Sequence, residues 1–132
     1  MLYEVMCIAV AIYFEARGEP LAGRFAVAEV VINRMRDPRY PDDACSVVYD
    51  GGETLHECAF SFFCDGKSDQ PDLNSLDWDS AQRVAQAVYE GRSAPVVGEA
   101  THYHAKRVHP DWVLGSHVVA TVANHIFYKG VK

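Results

Sequence analysis

The sequence predicts an α+β chain, mainly helical with a small β-sheet, from three observations. Apolar residues recur at three- and four-residue spacing in two adjoining stretches before Asp37, and again from Ser75 to Glu90. Alternation with period two occurs only beyond Gly98, and residues 39–74 between these regions follow neither period. With 132 residues, 49% of them hydrophobic and 23% charged, the chain has the size and composition of one domain, 1–132.

The first helix is expected from Leu2 to Ala16, with Val5, Ile8, Ile12 and Ala16 on one face. Gly18 stops it, and Pro20 suits the first turn of the next. That second helix carries Leu21, Phe25, Ala28, Ile32 and Met35 on its buried stripe and ends at Asp37-Pro38. Residues 39–74 read as a long functional loop, in which Ser46 to Tyr49 and Ala59 to Phe63 are expected to pair as short strands. Ser75 caps a third helix that buries Trp78, Ala81, Ala85 and Val88 and stops before Gly91. Thr101-His102-Tyr103-His104 alternates like a strand, and Val118 to Tyr128 is rich in β-branched and aromatic residues, with a helical reading open for its first half.

Composition also excludes functions. Twelve basic against eighteen acidic side chains give a net charge of −6, which argues against a nucleic-acid binder. The apolar runs are interrupted by Glu15 and Glu29, so no membrane span is expected. Glu4 stands where a signal peptide would be basic, so the expectation is a trimmed secreted domain or a protein released by lysis. Cys45, Cys58 and Cys64, spaced C-x12-C-x5-C, suit a disulfide among the three better than a metal site, and Cys7 reads as a small buried hydrophobe.

Glu15 is the position with the clearest chemical content. At about 100° per residue it projects about 20° from Ile8 and about 60° from Ile12, which sets a carboxylate on an apolar stripe at a helix C-terminus. Desolvation and the negative end of the helix dipole both favour its protonated form, as a general acid for glycoside cleavage requires. A structural ion pair with Arg17 or Arg34 is the alternative. Glu19, in the turn before the second helix, reads as complementing that helix's positive end. Glu29 lies on the stripe of Phe25 and Ile32 and needs a partner such as Arg34 or a tyrosine; Asn33 either holds substrate or ties down a loop.

The run Tyr13-Phe14-Glu15-Ala16-Arg17-Gly18-Glu19-Pro20 is followed by Gly23, Ala26-Val27-Ala28, Val31-Ile32-Asn33-Arg34 and Tyr40-Pro41. Then come Val47-Val48-Tyr49, Phe60-Ser61, Cys64-Asp65-Gly66, Ala100-Thr101-His102-Tyr103-His104-Ala105, Trp112 and His125-Ile126-Phe127-Tyr128. In these blocks the chain resembles the SleB/CwlJ-type cell wall hydrolases, spore-cortex-lytic enzymes among them. Its cysteines and the Thr101 to His104 segment look nearer to the proteobacterial or phage branch. The resemblance implies a fold related to lysozymes and lytic transglycosylases, action on the cell wall as a phage endolysin or a secreted domain, and Glu15 as catalytic residue. It implies cleavage of peptidoglycan glycan strands between N-acetylmuramic acid and N-acetylglucosamine.

A lytic transglycosylase needs one carboxyl group, and no second acid has a clear claim, so this route is favoured, with hydrolysis assisted by Glu29 or Asp65 as the fallback. It needs no cofactor and no metal, and a monomer is expected. Candidate substrate contacts are Glu29, Asn33, Ser61, Phe62, His102, Tyr103 and Trp112, with Tyr49 as a further aromatic. Alternation along the strand sets Tyr103 on one side and His102 and His104 on the other. Two other classes stay open: a zinc amidase or peptidase in which His102 and His104 join His109, His117 or His125, and a non-catalytic peptidoglycan-binding module.

Overall fold

The computed structural model describes residues 2–51, 58–67 and 70–132. Helix α1 (Leu2–Ala16) is central because it is apolar nearly all round: Ile8, Ala9, Ala11 and Ile12 are each at most 1% exposed. Helices α2 (Leu21–Arg36), α3 (Ala44–Val48) and α4 (Leu76–Tyr89) pack against it. Trp78, Ala81, Val84, Ala85 and Val88 form the buried stripe of α4, and the Ser75 hydroxyl caps it by accepting the Trp78 N–H at 3.1 Å. Among the described residues no helix is long and apolar enough to cross a membrane.

Strands β1 (His102–Ala105), β2 (His117–Val122) and β3 (His125–Lys129) form an antiparallel sheet in the order β1-β3-β2. Tyr103 lies opposite Phe127 and Ala105 opposite His125. The chain belongs to the predicted α+β class, mainly helical with a small sheet. A second apolar cluster of Ala26, Val30, Val97, Ala100 and Phe127 seals α2 against the sheet. The stretch from Val118 to Tyr128 is therefore a hairpin, not the start of a helix. Its two-residue turn, Ala123-Asn124, puts Ala123 at φ 50, a left-handed conformation that an alanine rarely adopts.

Two expectations for the middle of the chain are overturned. Residues 46–49 are not a strand. Asp43 caps α3 by accepting the Ser46 N–H at 2.8 Å, and Glu4 of α1 accepts the Ala44 N–H at 2.6 Å, so local capping outweighs β propensity. Ala59 to Phe63 likewise lacks a strand and leads into a 3-10 turn, Ser61–Cys64. Cys7 is also more than a buried hydrophobe, because it is bonded to Cys45 across 38 positions and fastens α3 to α1. Packing of α3 on α1 brings their Cα atoms to 5.1 Å, a proximity that no spacing in the sequence encodes. Cys58 is disulfide-bonded as well. The side chains of Cys64 and of Ser61, a candidate substrate contact, lie outside the described part of the structure.

Candidate active site

Glu15 is the penultimate residue of α1, and the chain then turns through Gly18, at φ 84, where a side chain would be strained. The Tyr103 hydroxyl of β1 donates to Glu15 Oε1 at 2.7 Å. Both arginines named as alternative ion-pair partners hydrogen-bond other groups, although the Arg34 and Glu15 charges still act on each other. Arg17 folds back over the Tyr13 ring, its guanidinium carbon 4.5 Å from the centroid, and donates to that hydroxyl. Arg34 is buried, donates from Nε to the Thr101 carbonyl at 2.8 Å, and lies 5.1 Å and 5.3 Å from the ring centroids of Tyr40 and Phe60. Burial holds its guanidinium below the ordinary value, opposed by Tyr40, Tyr103, Asp50 and Glu15. Burial and then Glu15 push the Tyr103 phenol well above its usual 10, with Arg34 pulling the other way, so the hydroxyl keeps its hydrogen and stays a donor.

Helix α2 sets the strand that delivers Tyr103. Glu29 accepts the N–H groups of Val96 and Val97 at 2.9 Å, Asn33 donates to the carbonyls of Gly98 and Ala100 at 2.8 Å, and Arg34 holds Thr101. Three polar side chains on one helix thus fix residues 96–101, which run directly into β1. Glu29 and Asn33, candidate substrate contacts by sequence, are engaged with backbone. The same holds for Asp65, whose Oδ1 accepts the Lys67 N–H at 2.9 Å.

Phe62 is buried and stacks on Phe14 at 5.0 Å, beside Tyr49, so it packs against the end of α1 and has no open ring face. Tyr103 rests one ring face on buried Phe127 at 5.1 Å. His102, His104 and half-buried Trp112 occupy the other side of β1, as alternation predicted, with Trp112 lying 5.1 Å from the His102 ring and 5.7 Å from His104. His102 bonds Thr101 Oγ1 through Nδ1 at 2.9 Å and the Tyr40 hydroxyl through Nε2 at 3.3 Å. Burial, then the Arg34 and Arg39 charges, push its imidazole down to about 4 against a weaker pull from Asp37. His104 Nδ1 faces the Ala105 carbonyl at 2.7 Å and so carries hydrogen, and Nε2 shares a hydrogen bond with the Tyr128 hydroxyl at 2.8 Å. Among the described residues no three His, Cys, Asp or Glu side chains gather as a metal site would need.

One polar pair was not anticipated. Glu19 was expected to complement the start of α2, but that helix is capped by Pro20 without a side-chain bond, and Glu19 reaches His125 of β3 instead, 2.9 Å from Nδ1. The acidic residue before the helix was legible in the sequence; its partner more than a hundred positions away was not.

A family profile described as Cell Wall Hydrolase matches residues 18–128, starting just past Glu15. The chain is 28% identical over 124 residues to the spore cortex-lytic enzyme of Halalkalibacterium halodurans, covering 94% of this chain and 34% of that protein. It is 26% identical over 129 residues to the spore cortex-lytic enzyme of Bacillus subtilis, covering 94% and 37%. The chain thus spans about a third of the length of these relatives. Among solved structures it resembles the catalytic domain of the Bacillus cereus SleB protein, with TM-score 0.76, 26% identity, and coverage of 96% of this chain and 89% of that one. It also resembles the catalytic domain of the germination-specific lytic transglycosylase SleB of Bacillus anthracis, with TM-score 0.75, 27% identity, and coverage of 96% and 93%.

Proposed function

The chain belongs to the cell wall hydrolase family, and from that premise we propose that it cleaves the glycan strands of peptidoglycan as a lytic transglycosylase, with Glu15 as its single acid and base. The observation that carries this reading is the Tyr103 hydrogen bond to Glu15, which orients the carboxyl group at the end of a rigid, buried helix. The other acids considered for catalysis are engaged, Glu29 with two amides and Asp65 with one, and nearby Glu19 is bonded to His125. Donation by Tyr103 makes Oε1 an acceptor and assigns the acid's proton to Oε2.

Glu15 gives that proton to the oxygen joining N-acetylmuramic acid to N-acetylglucosamine as the bond to the anomeric carbon breaks. The departing sugar leaves with a hydroxyl. The carboxylate then takes the proton of the muramyl 6-hydroxyl, whose oxygen bonds to the anomeric carbon and closes a 1,6-anhydro ring. Glu15 is again protonated, and no water is consumed. Tyr103 keeps donating to Oε1 in both states, so one rotamer serves both steps. Trp112, part exposed beside His102, is the proposed contact for sugar rings away from the broken bond.

The test is mass spectrometry of the fragments released from purified peptidoglycan, with and without EDTA. Fragments ending in 1,6-anhydro-muramic acid, released equally with the chelator, support this reading. Reducing-end fragments indicate a hydrolase, and separated glycan and peptide indicate an amidase.

A further inference from the structure

The acid mechanism makes no use of the Glu19–His125 pair, yet the fold places it against the acid's holder. The two side chains are only 14% and 22% exposed, with Glu19 Oε1 at 2.9 Å from His125 Nδ1. A carboxylate oxygen can only accept, so Nδ1 carries hydrogen whether the ring is neutral or cationic, and the contact holds in both forms. Glu19 lies four residues past Glu15, across the turn through Gly18. His125 opens β3 and is diagonal to Tyr103 across the β1–β3 ladder. Its ring meets the Tyr103 ring edge-on, centroids 5.4 Å apart and planes at 82°, while Phe127 stacks on the same ring at 5.1 Å. The α1–α2 turn is therefore pinned to the sheet twice, by Tyr103 on Glu15 and by His125 on Glu19, and the two pinning rings touch.

We infer that Glu19 and His125 are positioning residues for the acid. Their bond holds the imidazole against the Tyr103 ring, and the imidazole edge holds Tyr103 in the rotamer that donates to Glu15. Turnover depends on placement to a fraction of an ångström, so loss of the pair registers in kcat beyond any loss of stability. The inference rests on Glu15 being the acid, and its test separates the two claims.

Initial rates on purified cell walls over a range of wall concentrations, together with melting temperatures, are compared for Glu15→Gln, Tyr103→Phe, His125→Ala, His125→Asn and the Tyr103→Phe/His125→Ala double variant. His125→Ala is expected to lower kcat about tenfold with KM changed less than about twofold, as misplacement of a catalytic group does. His125→Asn, whose amide N–H reaches the region of Nδ1, should recover kcat to within about threefold of the parent. Because His125 acts through Tyr103, the double variant should be no more than about twofold slower than Tyr103→Phe alone. Parental kcat in His125→Ala, a loss confined to KM, no recovery by asparagine, or additive losses in the double variant would each overturn the inference. Parental turnover in Glu15→Gln would instead remove the acid assignment itself. Should His125→Ala not fold, Glu19→Gln and Glu19→Ala give the same comparison: glutamine near the parental rate with alanine about tenfold down supports the pair, and equal rates overturn it.

Discussion

Tyr103 and Glu15 stand 88 positions apart in the chain and meet at 2.7 Å, the phenol donating to Oε1. The phenol ring rests on Phe127, so it is fixed independently of the carboxyl group it serves. Tyr103→Phe keeps that stacking and removes the donor. A hydrogen bond to a charged group is worth about 1.5–3 kcal/mol, so kcat/KM on cell walls should fall by about 10- to 100-fold while the melting temperature stays within a few degrees. Unchanged kinetics would show that the bond does not orient the acid.

Glu29 provides the reverse case. Its carboxylate accepts the amides of Val96 and Val97 at 2.9 Å, so Glu29→Gln should lower the unfolding free energy by about 1–3 kcal/mol, measured by urea denaturation. Activity per folded molecule should stay within about threefold of the parent. Unaltered stability with lost activity would make Glu29 a second catalytic carboxylate and the protein a hydrolase.

The Cys7–Cys45 bond closes a loop of 38 positions, for which chain entropy predicts a stabilisation of about 4 kcal/mol. Reduction should lower the melting temperature, and peptide mapping of the oxidised protein should recover Cys7 and Cys45 in one linked fragment. Alkylation of Cys7 without prior reduction would contradict the pairing.

His102 carries a sign that can be checked. Its folded value of about 4 lies below the ordinary 6.5, so between those values the unfolded chain binds more protons and stability falls as pH drops. In urea titrations between pH 6.5 and 5, the parent should lose stability toward the acid side, and His102→Gln should lose less. Parallel slopes would show that burial beside Arg34 and Arg39 does not govern this ring.

The legible parts of this protein are those fixed locally. Ile8 and Ile12 locate α1 and place Glu15 on its buried side because helical phase is carried over a few residues. Ser75 and Gly91 bracket α4 for the same reason. Alternation put Tyr103 opposite in sense to His102 and His104. What stayed hidden depends on contacts between distant segments: Tyr103 reaching Glu15, His125 reaching Glu19, Cys7 reaching Cys45. Two local features are weak in sequence. Asp43, three residues before Ser46, is a cap for α3 within a stretch rich in β-formers, and the Ala123-Asn124 turn lacks the glycine that a left-handed position favours.

The most direct test compares the parent with Glu15→Gln on purified peptidoglycan and identifies the fragments by mass spectrometry. Glutamine keeps the shape and can still accept from Tyr103, but it cannot deliver a proton. The expected result is anhydro-muramyl fragments, lighter by one water than hydrolysis products, from the parent in the presence or absence of EDTA, and none from a folded Glu15→Gln variant. Parental release of fragments by Glu15→Gln, or reducing-end products from the parent, would contradict the single-acid account.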